Sequence, residues 1–284
     1  MSLVDTAATT AAPAASTPTP SIAYRHFLRN HRRRKSLILG VQLLLLVSVF
    51  TFWQVGADIR LWDPVLTSTP STVWTTFLTQ ATKGTIWPHI WVTLQETVFS
   101  FVAGMVLGIG IAVVIWWSPF ISRVLDPYLV IANATPKVAF GPILFAWLGA
   151  TWSVYGMAIS ISLIVTIMMV YTGFSEVSQD KVKLLRTFGA SRRQVLTKVI
   201  LPASVPILIS TAKVCVGLTL VGVVMGEFLA ASAGLGYLIV YGSQIFQMSL
   251  VMTSICVLIV LSALLYGAVS LTENYIVRRR PSKA

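Results

Sequence analysis

Long apolar stretches alternate with short polar segments along most of this chain. Six of these stretches carry few or no charges, and each is long enough for the roughly 20 residues that cross the hydrocarbon core of a bilayer. The pattern predicts six membrane-spanning helices, at residues 37–55, 90–117, 125–148, 154–174, 203–229 and 245–272. The third stretch differs from the others because it contains Asp126, Pro136 and Lys137, and only the short segment WLGATWSV separates it from the fourth.

Composition agrees with this pattern. Hydrophobic residues make up 56% of the chain, charged residues only 11%, and the mean hydropathy is +0.81. These values exclude an ordinary water-soluble domain. We therefore expect an all-α, polytopic membrane protein with six transmembrane helices.

The positions of Lys and Arg predict the orientation of these helices. Seventeen of the 21 basic residues lie in segments that share one side of the membrane, namely 25–35, Arg123, 181–198 and 278–283. The opposite side has two, Arg60 and Lys83. Cytoplasmic segments are enriched in Lys and Arg, so both termini are expected in the cytoplasm. The same distribution accounts for the net charge of +12 without a nucleic-acid partner.

Outside the apolar stretches, the N-terminal residues consist almost wholly of Ala, Thr, Pro and Ser, which predicts a disordered cytoplasmic tail. A cleaved signal peptide is the alternative, but its apolar core would be too long and its basic part would begin too deep in the chain. Cys215 and Cys256 lie in predicted spans without metal or redox spacing. The expected organisation is a disordered tail (1–24), a basic juxtamembrane segment (25–36), a transmembrane domain (37–272) and a basic cytoplasmic tail (273–284).

Two features suggest how the helices are arranged. Ser71 is placed to cap a short interfacial helix that ends near Gly84 and places Val73, Trp74, Phe77 and Leu78 near one side. Small-residue spacing in the second and fifth spans predicts close helix packing, at Gly104, Gly108, Gly110, Gly217, Gly222 and Gly226.

Sequence motifs for catalysis are missing. The three histidines are scattered, and the chain contains no GxSxG, HExxH or phosphate-binding glycine–lysine loop. The chain is therefore not expected to be an enzyme or to bind a metal or cofactor. If ATP drives it, another chain must bind the nucleotide.

The segment 175–202 has the features of two capped helices joined by a hinge. Asp180 lies near the predicted start of the first helix, and Gly189 is suited to a left-handed helix end. Ser191 and Gln194 have the spacing of a capping box, and the apolar stripe that follows is expected to end at Pro202. An ordinary basic loop is the alternative.

These residues resemble a known family. The run Arg186-Thr187-Phe188-Gly189-Ala190-Ser191, followed by Val199-Ile200-Leu201-Pro202-Ala203, is similar to the cytoplasmic coupling loop of permease subunits of bacterial ABC importers. Further similar motifs follow the order of the family, at Thr69-Pro70-Ser71, Thr93-Leu94-Gln95-Glu96-Thr97, Pro136-Lys137-Val138-Ala139, and Gly226-Glu227-Phe228 followed by Ser232-Ala233-Gly234-Leu235-Gly236. Together they resemble the nitrate, sulfonate and taurine branch, which also includes transporters for pyrimidine precursors and riboflavin.

The resemblance implies a homodimeric permease in the bacterial inner membrane. An extracytoplasmic binding protein would deliver a small solute, and two copies of an ATPase subunit, carrying ATP and Mg, would dock on the coupling loop. The residues implied in this docking are Arg186, Gly189, Ala190, Ser191, Arg192 and Pro202. One departure is Lys183-Leu184-Leu185, where the family usually has Glu-Ala-Ala.

Four ionisable residues fall inside predicted spans: Glu96, Lys137, Lys213 and Glu227. Each costs roughly 2.5–3.5 kcal/mol at the bilayer centre on insertion scales, so we expect them to pair or to face water. They either form structural ion pairs or line a translocation path. A secondary transporter driven by an ion gradient is the alternative function, and it would need no docking loop. A membrane enzyme is a more distant alternative, because a catalytic cluster is missing.

Overall fold

A computed structural model describes residues 22–278, and its regular structure consists of helices. A 3₁₀ turn at Lys137–Phe140 and a π-helical turn at Leu196–Ile200 connect longer α-helices. The α-helices are α1 (Ile22–Asp58), α2 (Pro64–Thr67), α3 (Pro70–Thr82), α4 (Ile86–Trp117), α5 (Pro119–Ala134), α6 (Gly141–Ser175), α7 (Gln179–Thr187), α8 (Arg192–Val195), α9 (Leu201–Ala230), α10 (Leu235–Gln244) and α11 (Met248–Arg278).

The described residues form two units, and the boundary in the chain lies between Val55 and Gly56. The first unit is the greater part of α1, where the side chains of residues 36–52 are exposed all around the helix. An apolar helix that is exposed on every side suits a lipid environment. Residues 1–21 of the predicted tail, and residues 279–284, lie outside the described part of the chain.

Five helical segments are long and apolar enough to cross a membrane, one fewer than the sequence pattern predicts. They are Ser36–Asp58, Ile86–Trp117, Lys137–Ser175, Arg192–Ala230 and Met248–Glu273. The predicted stretch 125–148 is divided, because α5 ends at Ala134. Thr135 has an extended backbone, which is the conformation that the following Pro136 favours. The predicted break between residues 148 and 154 is only a kink, since Gly149 alone leaves the helical conformation inside α6.

The core of the second unit is a layer of three helices in which α6 packs against α4 and α9, and α4 also contacts α9. Glycines allow the close approach: a Cβ atom at Gly108 would lie 2.5 Å from the Thr166 side chain, and one at Gly222 would lie 2.6 Å from the Ala158 backbone. Gly104 and Gly226 make similarly close approaches to α6, as the small-residue spacing predicts. Gly110 and Gly217 have no neighbouring heavy atom within 4 Å of a built Cβ, so for them that prediction is wrong.

Helices α4 and α6 run parallel to each other and antiparallel to α9, so the layer has two ends. The basic end contains Ala112 of α4, Phe174 of α6 and Ile200 before α9, packed in one cluster with α7 and α8. The turn end contains the start of α4 and α6 and the end of α9, where Gly141 approaches Leu229 and Gly226 approaches Val154. The segment 231–234, which joins α9 to α10, also lies at the turn end.

The N-cap of helix α3 lies two residues before the predicted cap Ser71. The Thr69 hydroxyl, and not that of Ser71, accepts the N–H of Thr72 at 3.1 Å, and Pro70 occupies the first helical position. Val73 is buried and Phe77 packs against the core, whereas Trp74 is 61% exposed. Val73 and Phe77 are about one helical turn apart and face the core, whereas Trp74 points away from it. The predicted apolar residues therefore do not all lie on one face.

Candidate functional site

Two capped helix ends meet in the segment between α7 and α8. The N–H of Gly189 donates to the Arg186 carbonyl at 2.9 Å, and that of Ala190 donates to the Leu185 carbonyl at 3.1 Å. This is the Schellman arrangement, and Gly189 adopts the left-handed conformation that it requires, with φ +76°. The hinge at Gly189 follows the sequence prediction.

The second helix begins with the predicted capping box. The Ser191 hydroxyl accepts the Gln194 N–H at 3.3 Å, and the Gln194 side-chain oxygen accepts the Ser191 N–H at 2.8 Å. The predicted end at Pro202 is wrong, because α8, the π-helical turn and α9 form one continuous helical segment from Arg192 to Ala230. In an α-helix the ring of Pro202 would clash with the carbonyl four residues before it, and the wider π-helical turn relieves this conflict.

The segment is anchored to the ends of α4 and α6. Val182 of α7 and Val195 of α8 are buried in the same apolar cluster as Val170 and Phe174 of α6. In addition, the Arg192 guanidinium donates to the Trp117 carbonyl at 2.7 Å. That carbonyl is at the C-terminus of α4, where a cation is favourable. The position of α7 and α8 is thus coupled to that of two long helices.

The opposite face of this segment is exposed. Phe188 is 81% exposed and Leu184 is 55% exposed, beside the exposed basic side chains of Lys183 and Arg186. Large apolar side chains among cations on a rigid, anchored helix form a surface suited to protein contact. The departure at Lys183-Leu184-Leu185 thus places one cation and one exposed leucine on that surface, while Leu185 packs inward.

The two lysines within predicted spans each have a polar partner in the structure. Lys213 of α9 forms an ion pair with Glu273 of α11, and its Nζ lies 6.0 Å from the centroid of the Tyr266 ring. It lines a cleft of about 440 Å³ between α9 and α11. Lys137 donates to the Asn133 carbonyl of α5 at 3.1 Å. Neither lysine pairs with Glu96 or Glu227.

Glu227 is buried at the turn end, where it accepts several hydrogen bonds. The Thr93 hydroxyl of α4 donates to Glu227 Oε1 at 2.7 Å, and the N–H groups of Gly236 and Tyr237 donate to the same carboxyl group. Thr93 also accepts the Leu235 N–H at 2.8 Å. Glu227 therefore binds the N-terminus of α10, an arrangement that favours a negative charge.

At two glycines of the Ser-Ala-Gly-Leu-Gly motif, a larger side chain would clash with this carboxyl group. A Cβ atom at Gly234 would lie 2.3 Å from Glu227 Cδ, and one at Gly236 would lie 2.6 Å from Glu227 Oε2. Gly234 also has φ +113°, and its N–H donates to His89 Nδ1 at 3.1 Å. The sequence places these motifs in order along the chain but does not reveal that Glu227 inserts into the glycine turn.

Sequence reasoning missed Thr93 and Glu273 as partners of charged groups, and His89 as the acceptor of the Gly234 N–H. Thr93 and Glu96 are three residues apart on α4, so their shared face was a detectable signal. Glu273 was assigned to the basic tail, and only the packing of α11 on α9 shows its role. Within the described residues, no group of three or more His, Cys, Asp or Glu side chains is placed to hold a metal ion.

Comparison with known proteins places the geometry in a family. Residues 104–280 match the family model for the binding-protein-dependent transport system inner membrane component. The chain is 32% identical to a probable ABC transporter permease protein of Haemophilus influenzae, over 82% of this chain and 92% of that protein. It is 26% identical to the taurine transport system permease protein TauC of Escherichia coli, over 82% and 86%, and 26% identical to the riboflavin transport system permease protein RibX of Chloroflexus aurantiacus, over 86% and 90%.

A similar fold occurs in a solved structure, an inward-facing conformation of the MetNI methionine ABC transporter. The TM-score is 0.57 at 20% identity, over 67% of this chain and 93% of that one. The likeness in fold, the match to the family model and the identity to the Haemophilus permease agree with one another. The chain belongs to the family of binding-protein-dependent transport system inner membrane components.

Proposed function

We propose that this chain is the permease subunit of an ATP-driven importer and forms the membrane path with a second copy of itself. The names of its relatives include taurine and riboflavin transport systems, which supports a small anion or a small heterocycle as the solute. An extracytoplasmic binding protein delivers the solute. ATP and Mg bind to a separate ATPase subunit in the cytoplasm.

The observation that carries this proposal is the construction of the α7–α8 segment. Its inner face is buried against α4 and α6, and its outer face presents Phe188 and Leu184. An ATPase docked on the outer face can move the long helices through the Arg192–Trp117 contact and the apolar cluster. Closure of the ATPase pair would then shift the permease between two conformations.

The geometry also supports six crossings, with α5 as the short third one. Helix α4 ends at the basic end, whereas α6 begins at the turn end, so the chain between them must return across the layer. The 16 residues of α5 span about 24 Å and the following 3₁₀ turn about 8 Å, together close to the hydrocarbon thickness of about 30 Å. Ser122 near the start of α5 contacts Tyr171 at the basic end.

The surface of α5 and of the start of α6 supports the proposed homodimer. Helix α5 has no buried residue, and Phe120, Tyr128 and Ile131 are each at least 65% exposed. Trp147 of α6 is 79% exposed. In the proposed assembly, lipid and the second copy cover these side chains, and both termini are cytoplasmic.

The docking role is tested by Gly189→Val. Valine at φ +76° adds backbone strain of about 1–2 kcal/mol and tilts α7 relative to α8. We expect normal amounts of permease in the membrane, less ATPase recovered with it, and little uptake. Gly84→Val is the matched control, because Gly84 has φ +77° and equally open surroundings but lies next to α3. Equal uptake and equal ATPase recovery in the two variants would refute the docking role.

The six crossings are tested with a reporter that is active only in the cytoplasm. Fusions after Ser118 and after Arg193 should be active, and fusions after Lys83 and after Lys137 should be silent. An active reporter after Lys137 would show that α5 does not cross. The transport class is tested separately by deleting the ATPase gene, since an ion-driven transporter would keep its uptake.

A further inference from the structure

Glu96 and Glu227 form a buried pair of carboxyl groups at the turn end. Glu96 is 6% exposed and Glu227 is 1% exposed. Glu96 lies one helical turn after Thr93, whose hydroxyl donates to Glu227, and this places the two carboxyl groups beside each other. They come from different helices, α4 and α9. Two adjacent carboxylates in a buried site repel each other strongly, so this contact requires an explanation.

The hydrogen bonds around Glu227 identify it as the charged member. Its carboxyl group receives the Thr93 hydroxyl and the N–H groups of Gly236 and Tyr237. The Thr93 hydroxyl donates to Glu227, and its oxygen accepts the Leu235 N–H. A carboxylate surrounded by donors at the N-terminus of α10 needs no proton of its own.

Glu96 has the opposite surroundings. Its Oε2 atom is buried and has no hydrogen-bonding partner among residues 22–278. A buried carboxylate oxygen without a donor is costly, whereas a protonated oxygen could donate to the neighbouring Glu227. One proton therefore removes both the charge repulsion and the unpaired oxygen.

We propose that Glu96 and Glu227 form a proton-binding site. Glu96 carries the proton, and its O–H group donates a hydrogen bond to the Glu227 carboxylate. The bound proton joins α4 to the end of α9 and, through Glu227, to the turn before α10. The titratable groups that face this site are His89 on α4, Tyr155 on α6 and Tyr237 on α10. The proton-binding site consists of side chains of this chain and does not depend on which solute is transported.

The test compares Glu96→Gln with wild type in the purified full-length permease. Glutamine can donate its amide hydrogen to Glu227 without titrating. Infrared difference spectra should show a protonated carboxylic acid band in wild type that disappears in Glu96→Gln and persists in Glu273→Gln. The melting temperature of wild type should fall as the pH rises from 6 to 9, because loss of the proton places a second negative charge beside Glu227. That of Glu96→Gln should equal wild type at pH 6 and show a smaller decrease.

Two further variants complete the test. Glu96→Leu leaves Glu227 without this donor, and Glu227→Gln turns an amide toward N–H groups, so both should melt below Glu96→Gln at pH 6. The proposal is overturned if the acid band is missing in wild type or persists in Glu96→Gln. It is also overturned if Glu96→Gln has the pH dependence of wild type or fails to accumulate in the membrane. These readouts involve neither ATPase nor uptake, so the proposed transport function can fail independently.

Discussion

The short helices at the two ends of the three-helix layer are capped in different ways. At the basic end, the caps of α7 and α8 join residues at most five positions apart, and the Arg192 guanidinium adds a contact to the C-terminus of α4. The segment also carries exposed side chains. At the turn end, the N-terminus of α10 is bound by Thr93 and Glu227, which come from other helices and are buried. Local caps leave one surface free for a soluble partner, whereas distant buried caps fix several helices to one another. Substitutions should therefore have different consequences at the two ends.

The largest contrast is expected between Gly234→Ala and Gly189→Ala. Both glycines have positive φ, but a Cβ atom at Gly234 would lie 2.3 Å from Glu227 whereas one at Gly189 has no neighbour within 4 Å. Gly234→Ala should sharply reduce the amount of folded permease, while Gly189→Ala should cost only about 1 kcal/mol. Membrane yield and the melting temperature in detergent measure this difference. Similar yields would contradict the close packing around Glu227.

A smaller effect is expected from Thr93→Val, which keeps the shape of the side chain. It removes the donor to Glu227 and the acceptor of the Leu235 N–H, and leaving buried groups unpaired costs about 1–3 kcal/mol. Thr97→Val is the matched control, because the buried Thr97 hydroxyl only donates to a carbonyl of its own helix. Melting temperatures should fall for Thr93→Val and change little for Thr97→Val. An equal loss in both variants would argue against a long-range cap.

The contact between Lys213 and Glu273 connects α9 to α11 away from both termini of α9. Lys213→Met and Glu273→Gln should each destabilise the protein, and the double variant should lose less than the sum of the two single losses. The measurement is thermal unfolding of the two single variants and the double variant. Additive losses would mean that the ion pair contributes no coupling energy.

The smallest effect on stability is expected from Ser191→Ala at the basic end. Loss of the cap costs about 0.5–2 kcal/mol for the start of α8, in an exposed segment. Membrane yield should remain normal, and recovery of the ATPase should fall moderately. Ser178→Ala is the control, since Ser178 precedes α7 without a side-chain cap. If Ser178→Ala lowers ATPase recovery equally, the capping box does not position the docking surface.

Sequence alone predicted what depends on neighbours along the chain. The apolar stretches gave the membrane class and four of the five long helices to within a few residues at most ends, and the hinge at Gly189 and the capping box at Ser191 are confirmed. The predicted start at Ser71 was wrong by two residues, because a second hydroxyl at Thr69 forms the cap. The predicted end at Pro202 was wrong because a π-helical turn lets the helix continue to Ala230.

Tertiary structure decided the partners of the buried polar groups. Lys213 pairs with Glu273 sixty residues later because α11 packs on α9, and Glu227 accepts from Thr93 across 134 residues because α4 also contacts α9. Hydropathy records only that such groups are costly in a bilayer, not which helix supplies the compensating group. The sequence determined which side chains require a partner. The packing of α4 on α9 gave Glu227 its partner Thr93, and the packing of α11 on α9 gave Lys213 its partner Glu273.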